Sequence, residues 1–166
     1  MTQTAWLAFE QPLNERIRTF LRLETLFAQH AHHAEDDSEW GLRASLHRLL
    51  DIYSLVSRSD FKGEVVKELS DQYKQLKQLS DAAGVDQNRL QQTLQEIDSV
   101  INALNALSSQ LAQQQLRDNE FLVSILNRAA IPGGTCGFDL PLLHHWLALP
   151  EQRARRDLEA WFADLV

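Results

Sequence analysis

The chain's only cysteine, Cys136, lies shortly before two adjacent histidines, His144 and His145. A thiol within reach of an imidazole is the pairing used in nucleophilic catalysis, and a helix start nearby would lower the thiol pKa. No third group stands out to orient the histidine, and a lone cysteine commonly serves as a small packing residue. No catalytic residue is therefore expected. Gly133, Gly134 and Gly137 surround the thiol in GGTCGFD. A phosphate-cradling loop needs G-x-x-x-x-G-K-[ST] after a strand, and a dinucleotide site needs G-x-G-x-x-G. Here no lysine is present and a helical pattern precedes, so no nucleotide or other cofactor is expected. His30, His32, His33, Asp36 and Asp37 are metal-ligand residue types, but their spacing gives no closed tetrahedral set. They are expected to form an exposed polar helix end without a metal.

The arginines give a different signal. Arg18 and Arg22 are four apart on one predicted helix, a like-charge pair that costs a few tenths of a kcal/mol. Arg117 directly precedes a predicted helix start, where the dipole disfavours a cation. Local costs of this kind can mark positions that receive an anionic partner. Arg153, Arg155 and Arg156 lie on a helix face where Glu151, Asp157 and Glu159 supply neutralising partners. That face is expected to be salt-bridged surface.

The elements that must position these groups are mostly helical. TAWLAF, residues 4–9, is the one strand candidate, and it lacks a partner. Asn14 caps a predicted helix whose apolar face is Ile17, Phe20, Leu21, Leu23, Leu26 and Phe27. Ser38 is expected to cap a second helix over 39–56, buried through Trp40, Leu42, Leu46, Leu49, Leu50, Tyr53 and Val56. Asp60 is expected to cap a third, running to about Ser80. Gly84 and Asp86 mark a turn into a long helix from Gln87 to about Gln114. Its seam of Leu90, Leu94, Ile97, Ile101, Leu104 and Leu111 is close to heptad spacing. It reads as half of a long antiparallel hairpin packed on its neighbours. A further helix is capped by Asp118 or Asn119. Asp139 is expected to cap the short apolar helix LPLLHHWLAL, with Pro141 in its first turn. Pro150 opens the last helix, with Leu158, Trp161, Phe162 and Leu165 as its stripe.

Composition narrows the function classes. At 166 residues, with 44% hydrophobic and 23% charged side chains, the chain fits one globular domain. A net charge of −7 argues against general binding to nucleic acid or anionic membrane. One cysteine allows no internal disulfide and fits a reducing compartment such as the cytoplasm. No secretory signal and no membrane-spanning stretch are expected.

Four segments carry a family resemblance: FEQPLNERIRTFLRLETLF at 9–27, GVDQNRL at 84–90, LRDNEFL at 116–122 and IPGGTCGFDLPLLHHWL at 131–147. Their order and spacing are similar to the ZapD family, the Z-ring-associated bacterial cell-division proteins. The resemblance implies non-enzymatic cytoplasmic homodimers that bind the C-terminal tail of FtsZ and cross-link its filaments at midcell. It also implies a helical domain joined to a β-rich domain, with a basic tail-binding surface. Positions matching that surface here are Arg22, Arg117 and His144, with Arg18 on the same stripe. The chain is expected to be one mainly α helical bundle over 1–166, with residues 4–11 a short strand or arm and the β-rich partner region absent. Pro132, Gly133, Gly134, Gly137, Asp139 and Pro141 are expected to shape an elbow that sets His144 beside the first helix and Arg22. Two other classes share many of these features: an adaptor for a different protein, and a small metal-binding helical protein using His30, His32, His33 and Asp37. A thiol enzyme at Cys136 is a third.

Overall fold

A computed structural model describes residues 9–36, 38–57, 61–80, 82–106, 118–163 and 165. These residues contain seven helices and no strand: α1 Glu15–Ala34, α2 Glu39–Val56, α3 Phe61–Lys77, α4 Gln87–Ala106, α5 Glu120–Ala129, α6 Pro141–Leu147 and α7 Glu151–Phe162. The protein is a mainly α bundle. Four helix starts follow from short polar side chains accepting orphan backbone N–H groups, and at α4 Asp86 Oδ1 accepts from Asn88 at 3.0 Å and from Arg89 at 3.2 Å. Asn14 Oδ1 accepts from Ile17 at 2.8 Å, Ser38 Oγ from Gly41 at 3.1 Å, and Asn119 Oδ1 from Leu122 at 3.1 Å. Residues 4–8 of the predicted strand, the Asp60 cap and the far end of the long helix, with Leu111, lie outside the described residues. Residues 9–12 run as irregular chain.

Helix α2 is the centre of the fold. It packs against α1, α3, α5, α6 and α7. Leu42, Leu46, Leu49, Leu50 and Tyr53 meet Leu122 and Ile125 of α5, Leu143 and Trp146 of α6, and Ala154 and Leu158 of α7. The Tyr53 hydroxyl donates to the Trp161 carbonyl at 2.7 Å, so a buried phenol tip is satisfied from the last helix. Phe121, Trp146 and Trp161 form a tilted aromatic cluster with centroids 5.6–5.9 Å apart.

Helices α1 and α2 run antiparallel across a short turn. Arg48 Nη1 reaches Gln29 Oε1 at 3.2 Å, and His30 meets Ser45. Gly41 allows that turn to close. A Cβ there would overlap the Asp36 carbonyl oxygen and lie 2.5 Å from the Asp36 Cβ, so any side chain would push the two helices apart. Helices α3 and α4 form the second hairpin, also antiparallel, with Lys62 Nζ donating to the Asn105 carbonyl at 3.4 Å. Leu90 and Leu94 are its buried residues; Ile97, Ile101 and Leu104 are half-buried. Arg16 and Glu68 clamp α1 to α3, and the Arg16 bond holds the Glu68 carboxyl below its ordinary range.

Two sequence expectations are corrected in this region. Trp40 is 73% exposed rather than buried. It lies in the first turn of α2, with the Arg43 guanidinium 5.8 Å over its ring. His30 is not part of an exposed helix end. It is buried, stacked on Phe162 with centroids 4.4 Å apart, and its Nδ1 lies 3.0 Å from both the carbonyl oxygen and Oγ of Ser45. One of these partners satisfies either neutral tautomer. His30 and His47 both have their pKa lowered from about 6.5, chiefly by burial. Around His30, Ser45 raises it and His33 lowers it; around His47, Asp51 raises it while Arg43 and Arg48 lower it.

The unfolded chain takes up these two protons more readily than the folded one. Their contribution to stability is therefore intact above about pH 6.5 and lost as pH falls through the lowered folded values. Urea unfolding is expected to show falling stability between pH 7 and pH 5. His30→Gln should flatten that slope, and an unchanged slope would contradict the assignment.

Candidate functional site

The first and second helices enclose a groove of about 560 Å³. Its floor is apolar, with Leu21 and Leu26 from α1 and Leu55 from α2. Arg18 and Arg22 both line it from α1, as their spacing of four places them on one face. Arg18 Nε pairs with Glu15 at 3.1 Å. Arg22 is exposed and forms no ion pair among the described residues. Sequence reasoning does not single out Arg48, which faces the same groove from α2. Arg48 pairs with Asp51 at 3.1 Å. Only helix pairing brings it within reach of Arg18 and Arg22, so one-dimensional spacing holds no signal for it. The lining carries three arginines with Glu10 and Asp51, and Glu15 offsets Arg18, so Arg22 is the lining arginine without an ion pair among the described residues.

The elbow between α5 and α6 is a run of tight turns. Gly134 N–H donates to the Ile131 carbonyl at 2.9 Å, Cys136 to Gly133 at 3.0 Å, and Asp139 and Leu140 to Cys136 at 3.1 and 3.0 Å. Gly133 has φ +73°, a conformation that favours glycine. Gly134 is required for a different reason: a Cβ there would lie 2.8 Å from both the Arg128 carbonyl oxygen and the Ile131 Cβ. Gly137 would meet His144 at an ordinary 3.5 Å. Pro132 is exposed within the turns, and Pro141 occupies the first position of α6. Gly134→Ala is expected to destabilise by about 1–3 kcal/mol, as overpacking does, while Gly137→Ala should cost well under 1 kcal/mol. Equal urea midpoints for the two variants would contradict this account of the elbow.

Asp139 does not cap α6. Its carboxylate accepts from Arg128 at 3.2 Å and from the Cys136 thiol at 3.4 Å, and Leu140 occupies the cap position with no side-chain bond. The thiol is thus committed to the turn. His144 and His145 are both exposed, whereas Leu143 and Trp146 face the core. The elbow docks at the start of α2, where Arg43 Nη1 donates to the Thr135 carbonyl at 2.9 Å. Arg18 and Arg22 face the other end of α2, at Asp51, Ser54 and Leu55. From Arg43 to Asp51 is about 12 Å along a helix rising roughly 1.5 Å per residue. The groove lining brings Arg18 and Arg22 together and does not include His144. Arg117 lies outside the described residues. On α7, Arg153 pairs with Asp157 at 3.6 Å.

Among the described residues, no group of three or more His, Cys, Asp or Glu side chains is placed to hold a metal ion. No described helix is long and apolar enough to cross a membrane.

Comparison with known proteins bears on what this surface serves. Residues 21–166 match the family described as ZapD, a cell division protein. The chain is 39% identical over 158 residues to the cell division protein ZapD of Photobacterium profundum, covering 95% of this chain and 64% of that protein. It is 38% identical over 160 residues to the same-named protein of Aromatoleum aromaticum, covering 96% of this chain and 62% of that one. The ZapD protein of Nitrosomonas eutropha is also 38% identical over 160 residues, with 96% and 63% covered. The chain thus spans less than two thirds of the length of each of these relatives.

Proposed function

The chain belongs to the ZapD family of cell-division proteins, and from that membership we propose that it binds the C-terminal tail of FtsZ in the α1–α2 groove and cross-links FtsZ filaments at midcell. The observation that carries this reading is the convergence of Arg18 and Arg22 on an apolar-floored groove in a chain of net charge −7. A tail segment with apolar and acidic residues would lay its apolar side chains on Leu21, Leu26 and Leu55. The arginines would steer and orient it. Arg117 and His144 are further tail contacts in this proposal. A cytoplasmic homodimer would present two such sites, and divalency lets weak individual tail binding bundle filaments that display many tails. The role is recognition, with no chemical step, no cofactor and no small-molecule substrate.

Titration of this chain with a fluorescently labelled FtsZ tail peptide tests the proposal. Saturable binding that weakens between about 50 and 300 mM salt is expected, since exposed charges are screened over about 8 Å at physiological ionic strength. Absence of binding by the folded chain at low salt would contradict it.

A further inference from the structure

Arg48 stands apart from the two arginines opposite it. It lines the same groove, yet its guanidinium is held by two other lining residues, Asp51 at 3.1 Å and Gln29 at 3.2 Å. Its side chain is 35% exposed and that of Asp51 49%, so both remain open to an incoming group. A carboxylate entering the groove would find the Arg48 donors already engaged by a carboxylate of the protein itself. An amide or apolar group could not replace Asp51 at Arg48, because it brings no charge to offset the pair it breaks.

We infer that Arg48 is a third, selective anchor for the acidic segment of a peptide in this groove, and that Asp51 is its built-in competitor. The inference rests on the tail-binding reading and adds a specificity-determining pair to it. Charge complementarity identifies the occupant. The lining holds three arginines over an apolar floor; Arg18 pairs with Glu15 and Arg48 with Asp51, which leaves Arg22 without an ion pair among the described residues. An acidic peptide with apolar side chains matches both features, and the groove's volume is within the roughly 300–1,000 Å³ of ligand-binding pockets. The pair acts as a threshold. A peptide must carry a carboxylate at the Arg48 position to gain that contact, so acidic sequences are separated from neutral apolar ones by more than the two α1 arginines alone would achieve.

The test is calorimetric titration of the FtsZ tail peptide, and of the same peptide with its acidic residues changed to amides, into wild type, Arg48→Gln, Asp51→Asn and Asp71→Asn. Asp71 is on α3, paired with Lys74 at 3.6 Å and outside the groove lining, so Asp71→Asn makes the same change in net charge elsewhere. Asp51→Asn should tighten binding of the acidic peptide about three- to fivefold, and Arg48→Gln should weaken it by a similar factor, the range of exposed ion pairs. Arg48→Gln should also narrow the preference for the acidic over the amidated peptide, while Asp71→Asn should change neither. Wild-type binding with Arg48→Gln and Asp51→Asn both unchanged would overturn this inference and leave tail binding standing. Equal tightening by Asp51→Asn and Asp71→Asn would overturn it in favour of overall charge. Failure of wild type to bind either peptide would overturn the tail-binding reading, and this inference with it.

Discussion

Trp146→Ala is expected to destabilise the protein by about 3–5 kcal/mol, the range for deleting a large buried aromatic side chain. Trp146 is 5% exposed and belongs to the core formed by α2, α5, α6 and α7. Its ring is grouped with Phe121 and Trp161, and its indole N–H donates to Asp157 Oδ2 at 3.1 Å. Truncation removes packing between α6 and two other helices, and the space cannot close without moving the elbow. Trp146→Phe should cost less, about 1–2 kcal/mol, because most of the ring packing stays while the hydrogen bond is lost and part of the volume is emptied. Asp157 keeps its Arg153 partner in either variant. Thermal unfolding should show Trp146→Ala melting roughly 10 °C below wild type, since about 2–4 °C accompanies each kcal/mol at this chain length. A shift of under about 2 °C would mean that α6 is not anchored through this residue.

The second large effect concerns binding. Arg18→Glu combined with Arg22→Glu is expected to weaken FtsZ tail binding by about tenfold to a hundredfold. Each exposed ion pair contributes about 0.2–1 kcal/mol, reversal replaces attraction with repulsion, and tenfold corresponds to about 1.4 kcal/mol. The salt dependence should flatten with it, as fewer attractive charges remain to be screened. Neither residue is in the buried core, so helix content should be retained. Arg153→Glu is the comparison. It lies outside the groove lining and is paired with Asp157 in the native chain, and it should alter affinity by less than twofold. A loss from Arg153→Glu about half that of the double reversal on a logarithmic scale would point to net charge rather than to this groove.

Much of this architecture is legible from local chemistry alone. Asn14, Ser38 and Asn119 each precede an apolar-periodic run, and a short polar side chain there caps a helix whatever the tertiary context. The α2 face from Leu42 to Tyr53 is set by period, and the helix that touches most others is also the one that buries the most residues. What is not legible depends on partners distant in sequence. Asp139 has the residue type and place of a cap, but Arg128 from the preceding helix holds its carboxylate. His30 looks like its neighbours His32 and His33 until α2 brings Ser45 and α7 brings Phe162 to it. Gly41 is an ordinary helical glycine in sequence; its requirement arises from the return of the α1–α2 turn at Asp36. The candidate site divides in the same way. Arg18 and Arg22 share a face by spacing, whereas Arg48 joins them only across a helix pair, and its spacing of three from Asp51 is that of any solvated salt bridge. His144 and Arg22 both belong to family motifs, yet motif membership does not imply adjacency.

The most direct test of tail recognition is co-sedimentation of this 166-residue chain with FtsZ filaments that carry or lack the C-terminal tail. The chain should pellet with tailed filaments, stay in solution with tailless ones, and lose its tail-dependent pelleting in Arg18→Glu/Arg22→Glu. Equal pelleting with both kinds of filament, or none with either by a folded chain, would contradict recognition of the tail by the α1–α2 groove.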